Sequence, residues 1–349
     1  MRSLKDTKVL RGSSGSIRSS HHLSQTSLLC LFLAATLILV VVGGRSQHAK
    51  ALPPETLESV VSVLPQWPGY PRRPAGSQAG DGAERLEQPE GSGVVIAEGG
   101  IIATAYHVIE PATGVQVRLS DGRVLRAERI GDDPATDISL LRVEEDLPVL
   151  EPASSLALAT PVCAVGNAFG LDLSVTCGVI SALNRAGVGF NPIEDFVQTD
   201  ASVNPGASGG ALVTKDGALV GMLSAIFTRG SDADIGVNFA VSEILLRRVA
   251  NDLLDDGEVD RVTLGMRLAP LPAAIRATIA GVLVASVTPS GMADKAGLRR
   301  DDIILSIAGR RTVTGPELVA AVHVHKRGQT VEVDIQRGSE RLRLPMLLQ

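Results

Sequence analysis

The chain has 349 residues, a formal net charge of −5, and 44% hydrophobic but only 3% aromatic residues. That length allows two or three domains with substantial cores, while the mild acidity and scarce aromatics exclude a basic nucleic-acid face and an aromatic platform for bases or sugars. With 36 glycines, the composition suits small-residue β structure joined by tight turns.

The N-terminal stretch is serine-rich and carries Arg2, Lys5, Lys8, Arg11 and Arg18 against Asp6. Residues 23–44 are uncharged, and a helix of that length would cover about 33 Å, enough for the hydrocarbon core of a bilayer. The basic excess before this span, over Arg45 and Lys50 after it, places the N-terminus in the cytoplasm. The expectation is a single-pass inner-membrane protein whose bulk faces the periplasm or an equivalent space. Ala49-Lys50-Ala51 offers a small-x-small cleavage site, so a cleaved signal peptide is the alternative to a retained anchor. Cys30 falls within the apolar run and reads as a membrane-embedded residue.

Residues 52–68 begin with an acidic, helix-compatible piece and continue as a short strand. Residues 69–90 are rich in Gly, Pro and charge, and read as a long loop. From Gly91 to Ser242, short strands recur between turn signals such as Asp121-Gly122 and Asp216-Gly217, the pattern of an all-β sandwich or barrel. Cys163 and Cys177 flank what looks like a hairpin. They are read as two small buried strand residues, with a disulfide across the strands as the alternative. Residues 243–254 have helical period, and 255–260 form an acidic linker. The expected division is 52–258 for the first domain and 259–349 for the second. In the second, strands are expected over 281–287, 303–307 and 330–335 and a helix over 316–326. His323 and His325, two apart on that helix, point to different faces and read as surface histidines. No metal site or cofactor is indicated.

The chemistry concentrates in Asn204-Pro205-Gly206-Ala207-Ser208-Gly209-Gly210, which sets one serine among glycines. A serine hydroxyl near pH 7 needs a histidine to take its proton and a carboxylate to orient that histidine. His107 is the sole histidine between residues 52 and 258. Asp137 directly precedes the apolar run Ile138-Ser139-Leu140-Leu141, so it stands at the edge of a core. Asp132 and Asp133 precede Pro134 and read as solvated turn residues. The order His, Asp, Ser is that of chymotrypsin-type enzymes. Gly206-Ala207-Ser208-Gly209-Gly210 also fits G-x-S-x-G, but that elbow precedes a helix, whereas two short apolar runs around Asp216-Gly217 follow here.

Together the Gly91-Ser92-Gly93 stretch, the His107 motif, residues 132–143, Phe196-Val197-Gln198-Thr199-Asp200-Ala201 and the Ser208 motif resemble the HtrA (Deg) family of trypsin-like serine proteases. Residues 263–310 resemble the PDZ domain that follows in that family. The resemblance implies a mainly β chain with a chymotrypsin-like double β-barrel. His107, Asp137 and Ser208 would be its triad, and the N–H groups of Gly206 and Ser208 its oxyanion hole. Leu223, Ser224 and Ala225 would pair with an extended substrate, while Gly236, Val237 and Asn238 would shape an apolar specificity pocket. Thr263, Leu264, Gly265 and Met266 would capture the C-terminal carboxylate of a peptide. Unfolded or specific client proteins, C-terminal peptides and a homotrimeric assembly are implied as partners, in envelope quality control or stress signalling. Ala207 departs from the family's usual Asn, Ala211 from Pro and Ser242 from Pro; none removes a catalytic atom. A catalytically silent chaperone or PDZ scaffold is the alternative reading.

Overall fold

The computed structural model describes residues 51–68, 90–226 and 236–349. The uncharged segment 23–44, the loop expected over 69–90 up to its last residue, and Ile235 lie outside the described residues. Among the described residues no helix is long and apolar enough to cross a membrane. Residues Ala51–Gln349 form one compact unit.

A short helix α1 (Pro54–Glu58) leads into β1 (Val60–Pro65), followed by β2 (Gly91–Ala97), β3 (Ile101–Ala105), β4 (Val115–Arg118), β5 (Val124–Asp133) and β6 (Ile138–Arg142). These six strands close into a barrel in the order β1-β2-β3-β6-β5-β4. The near-continuous apolar runs of β1, β2, β3 and β6 have a simple cause, since both faces of these strands are buried, whereas β4 alternates between buried and half-buried positions and β5 is largely polar. Val61, Val63, Val95, Ile102 and Leu141 fill the barrel. Their chain neighbours Val60, Val94, Ile101 and Leu140 point outward into a second cluster with Val165, Phe196, Met222 and Phe239. With a side-chain period of two, such a strand needs apolar residues at odd and even positions alike.

The second barrel consists of β7 (Pro161–Gly166), β8 (Ser174–Arg185), β9 (Phe196–Thr199), β10 (Ala211–Thr214), β11 (Leu219–Ile226) and β12 (Asn238–Ser242). It closes in the order β10-β11-β12-β9-β8-β7 around Val162, Val197, Leu212, Val220 and Ala240. The Asp216-Gly217 signal does join an antiparallel pair, β10 and β11. Helix α3 (Glu243–Asp255) starts where Ser242 Oγ accepts from Leu245 N at 3.2 Å. Leu245, Leu246, Val249 and Leu253 then bury one face in the cluster between the barrels, each worth about 1.5–3 kcal/mol.

The reading of Cys163 and Cys177 as unpaired buried residues is corrected. They are direct partners in the β7–β8 register, with Cα atoms 4.0 Å apart, and form a disulfide. Their meeting depends on the length and path of the 167–173 connection, which has no periodicity to read.

The remaining chain builds a separate sheet. Its elements are β13 (Met266–Ala269), α4 (Ala273–Arg276), β14 (Val282–Val287), α5 (Met292–Lys295), β15 (Ile303–Ile307), β16 (Arg310–Arg311), α6 (Gly315–His323), β17 (Thr330–Arg337) and β18 (Glu340–Leu347). The sheet order is β13-β14-β15-β17-β18, with β16 paired to β15. The expected helix ends three residues early, at His323, and this histidine is not a surface group. It is 8% exposed, its Nδ1 is 2.9 Å from Val319 O, and Leu318 and Val322 beside it are buried. Three arginines, of which Arg248 is buried and the others half-buried, tie this unit to the barrels: Arg310 to Asp195, Arg261 to Asp133, and Arg248 to the carbonyls of His325 and Asp260.

Candidate active site

Strand β3 ends at Ala105 and the chain turns into helix α2 (Tyr106–Ile109), which carries His107. Opposite it, the turn between β5 and β6 delivers Asp137 in left-handed backbone, with φ 60°. The two residues are joined through backbone and side chain. Tyr106 N donates to Asp137 O at 3.1 Å and His107 N to Asp137 Oδ1 at 2.9 Å. The imidazole Nδ1 lies 2.8 Å from Oδ2 and 3.0 Å from Oδ1. Facing a carboxylate, Nδ1 carries the proton, which leaves Nε2 as the basic nitrogen. Ser224 Oγ donates a further bond to Asp137 Oδ2 at 2.9 Å. The carboxylate is 9% exposed and the imidazole 52%, so the acid is enclosed and the base open to the cleft.

Asp133 makes this turn possible, and the expectation that it is a solvated turn residue is corrected. It ends β5 at 5% exposure. Its carboxylate accepts from Ala135 N at 3.3 Å and Thr136 Oγ1 at 2.5 Å, and it pairs with Arg261. Asp-x-x-Thr is an Asx-type turn pattern, so the signal was present in the sequence. Asp132 also has a structural role, accepting from Ser139 Oγ at 2.6 Å and Arg129 Nε at 2.7 Å. Glu194 left no such signal. Its carboxylate accepts the N–H groups of Val188, Gly189, Phe190 and Asn191 at 2.6–3.1 Å and shapes a loop that touches the Asp137 turn through Ile193 N to Ala135 O, 2.9 Å.

Ser208 sits on the tight turn that precedes β10. Gly206 there has φ 94° and Gly209 has φ 88°, conformations that disfavour a side chain. The Ser208 hydroxyl donates to Ser224 O at 3.2 Å rather than to His107. Ser224 therefore touches both partners, the acid through Oγ and the serine through its carbonyl. Ala207, the departure beside Ser208, does not disturb the turn: Ala207 N donates to Asn204 O at 3.0 Å, and Gly210 N donates to Ala207 O at 2.9 Å. The N–H groups of Gly206 and Ser208 have no acceptor among the described residues. A histidine–carboxylate pair, a serine on a glycine turn and two free N–H groups thus share the cleft between two closed barrels.

Residues 91–222 match the family described as trypsin-like peptidase domain, and residues 233–347 match the PDZ domain family. A probable periplasmic serine endoprotease, DegP-like, of Chlamydia muridarum is 36% identical over 271 residues, covering 75% of this chain and 54% of that protein. Its counterpart in Pseudomonas putida is 36% identical over 312 residues, covering 87% and 63%. The solved HtrA-type protease AlgW with tripeptide superposes with a TM-score of 0.64 at 30% identity, covering 86% of this chain and 94% of that one. The chain belongs to the HtrA family. It spans about half the length of the first of these curated relatives, 54%.

As an HtrA chain it presents its candidate substrate edge unevenly. Leu223 is fully buried, and its backbone is already used, with its N–H to Gly210 O at 2.8 Å and its carbonyl accepting from Gly209 N at 2.7 Å. It is not available to a substrate, and the free edge begins at Ser224. The β11–β12 register skips Ser224 between Leu223↔Ala240 and Ala225↔Phe239, a bulge that aims its side chain at Asp137. Gly236 is exposed, Val237 half-buried, and Asn238 buried with Nδ2 donating to Ala201 O at 2.9 Å.

In the PDZ unit, Gly265 has φ 65° and its carbonyl accepts from Thr288 N at 2.8 Å, which holds the Thr263–Met266 loop against the end of β14. Strand β13 lies at the edge of its sheet, and Leu268 reaches the start of α6 at Gly315. Among the described residues no group of His, Cys, Asp and Glu could hold a metal ion.

Proposed function

We propose that this chain is a serine endopeptidase in which Ser208 is the nucleophile, His107 the general base and acid, and Asp137 the residue that fixes the imidazole. The observation that carries the reading is the His107–Asp137 pair beside a turn whose Gly206 and Ser208 N–H groups are unused. In the reaction the Ser208 hydroxyl leaves Ser224 O for His107 Nε2 and attacks the scissile carbonyl carbon. Nε2 takes the proton, and the oxyanion accepts from Gly206 and Ser208. Collapse expels the amine with the proton from Nε2, and water releases the acyl group by the same steps in reverse. Each N–H donor at the oxyanion is worth about 3–4 kcal/mol of barrier. The backbone beyond Leu223 would pair with an extended substrate, and Gly236, Val237 and Asn238 would line a pocket for small or medium apolar side chains.

We further propose that unfolded or specific client proteins are the substrates and that a peptide bound by the PDZ unit regulates cleavage. Support comes from the open edge of β13, to which a peptide can add as a strand with its carboxylate at Thr263-Leu264-Gly265-Met266, and from the peptides named in the AlgW structures. The relatives' description as periplasmic and the uncharged segment 23–44 support a membrane-anchored, periplasm-facing protease; family resemblance supports a homotrimer.

The test is cleavage of casein by the compact unit beside Ser208→Ala, with and without a library of C-terminal peptides. The expected result is turnover that peptides stimulate and that Ser208→Ala lowers by about 10⁴–10⁶. No cleavage under any peptide, with casein binding retained in both proteins, would transfer the chain to the chaperone class.

A further inference from the structure

The turn around Ser208 is held almost completely. Of its four carbonyls from Pro205 to Ser208, each has one donor: Phe169 N to Pro205 O at 2.7 Å, Ser92 Oγ to Gly206 O at 2.8 Å, Gly210 N to Ala207 O at 2.9 Å, and Ser92 N to Ser208 O at 2.9 Å. The N–H groups of Ala207, Gly209 and Gly210 are also engaged, which leaves those of Gly206 and Ser208 without an acceptor among the described residues. A trans peptide sets its C=O and N–H in opposite directions. Pro205 O, held by Phe169 N, and Ala207 O, held by Gly210 N, therefore aim the free N–H groups of Gly206 and Ser208, while the anchors on Gly206 O and Ser208 O fix the next peptide plane on the far side of each of these residues.

Two of those four anchors come from Ser92 on β2, the one residue of the first barrel in the set. Its hydroxyl also accepts from Asn167 N at 2.8 Å, and Asn167 begins the segment whose Phe169 N holds Pro205 O. Ser92 is fully buried, and its own carbonyl accepts from Thr104 Oγ1 at 2.7 Å, three residues before His107. We infer that Ser92 is a positioning residue: its hydroxyl locks the oxyanion-binding turn of the second barrel to the barrel that carries His107. The inference rests on the proposed use of the Gly206 and Ser208 N–H groups in an endopeptidase. Ser92→Ala leaves the backbone bond to Ser208 O and deletes two others, freeing Gly206 O and removing the acceptor of Asn167 N.

The test compares the full chain with its Ser92→Ala variant in peptide cleavage and in inhibition by a peptide aldehyde and the matching peptide alcohol. The aldehyde reacts with Ser208: the Oγ–carbon bond forms, the hydroxyl proton passes to His107, and the carbonyl π pair becomes an oxyanion. The alcohol binds without forming one. The expected result is a kcat lower by about 10–100-fold, a fraction of the loss of a whole donor, with KM nearly unchanged. Aldehyde affinity should fall by a similar factor while alcohol affinity holds. Thr104→Val, which keeps the Ser92 hydroxyl but frees its carbonyl, should show a smaller loss with the same pattern, and it serves as the second variant if Ser92→Ala does not fold. Wild-type kcat in Ser92→Ala, or equal losses for aldehyde and alcohol, would overturn the role of Ser92 and leave the endopeptidase reading standing. Absence of Ser208-dependent cleavage in the wild type would remove both.

Discussion

Gly209 and Gly122 share a backbone angle, φ 88°, but not surroundings. A Cβ at Gly122 would meet nothing within 4 Å, whereas one at Gly209 would overlap Ser92 O and crowd Thr104 Oγ1. Gly122→Ala therefore incurs only the left-handed conformational cost, about 1 kcal/mol. Gly209→Ala must also push the barrels apart, so its loss should exceed that of Gly122→Ala by about 1–3 kcal/mol and be accompanied by loss of cleavage. Equal denaturation midpoints for the two variants would show that Ser92 and the turn do not touch as described. At this scale the sequence was most legible where chemistry restricts the residue type. Ser208, His107 and Asp137 could be named because few side chains perform those steps. Ser92 acts by holding backbone far away in the chain, at Gly206 and Asn167, and Glu194 by gathering the N–H groups of its own loop, and a serine or an acid in either role resembles any other.

At the scale of elements, the paired apolar runs foretold strands, and the 243–254 period foretold a helix that the structure extends by one residue to Asp255. What periodicity does not encode is register between strands, and this is why the Cys163–Cys177 bond stood only as the alternative to two unpaired residues. The bond closes the base of the 167–173 connection, which also reaches the Ser208 turn through Phe169 N. Alkylation of the native protein followed by peptide mapping should leave Cys163 and Cys177 unmodified until a reductant is added. Labelling of both without reductant would contradict the pairing.

At the scale of the whole molecule, the PDZ unit and the barrels share buried charge. His323 faces that junction, near Arg261 and Arg248 and close to Asp133. Burial, followed by the repulsion of the two arginines, holds its pKa below the usual 6.5 against the opposing pull of Val319 O and Asp133. Burial also lowers His325, aided by Arg310 and opposed by a hydrogen bond to Gln329. Below about pH 6.5 the unfolded chain takes up protons that the folded one refuses. Stability is thus fully present above that pH and is lost as pH falls toward the depressed folded values. His323→Gln should flatten the fall in denaturation midpoint between pH 7 and 5; a slope identical to that of the wild type would place the acid sensitivity elsewhere. The two histidines also show where sequence reasoning ran short. Their spacing was visible, but the junction that buries His323 is a product of tertiary packing.

All three scales meet in the claim that His107 activates Ser208. The most direct measurement is covalent labelling by a fluorophosphonate, with the adduct located by mass spectrometry in the wild type, His107→Ala and Asp137→Asn. The expected result is one adduct, on Ser208, formed at a rate that falls by orders of magnitude in both variants. A wild-type chain that takes no label, or one labelled equally fast without His107, would contradict it.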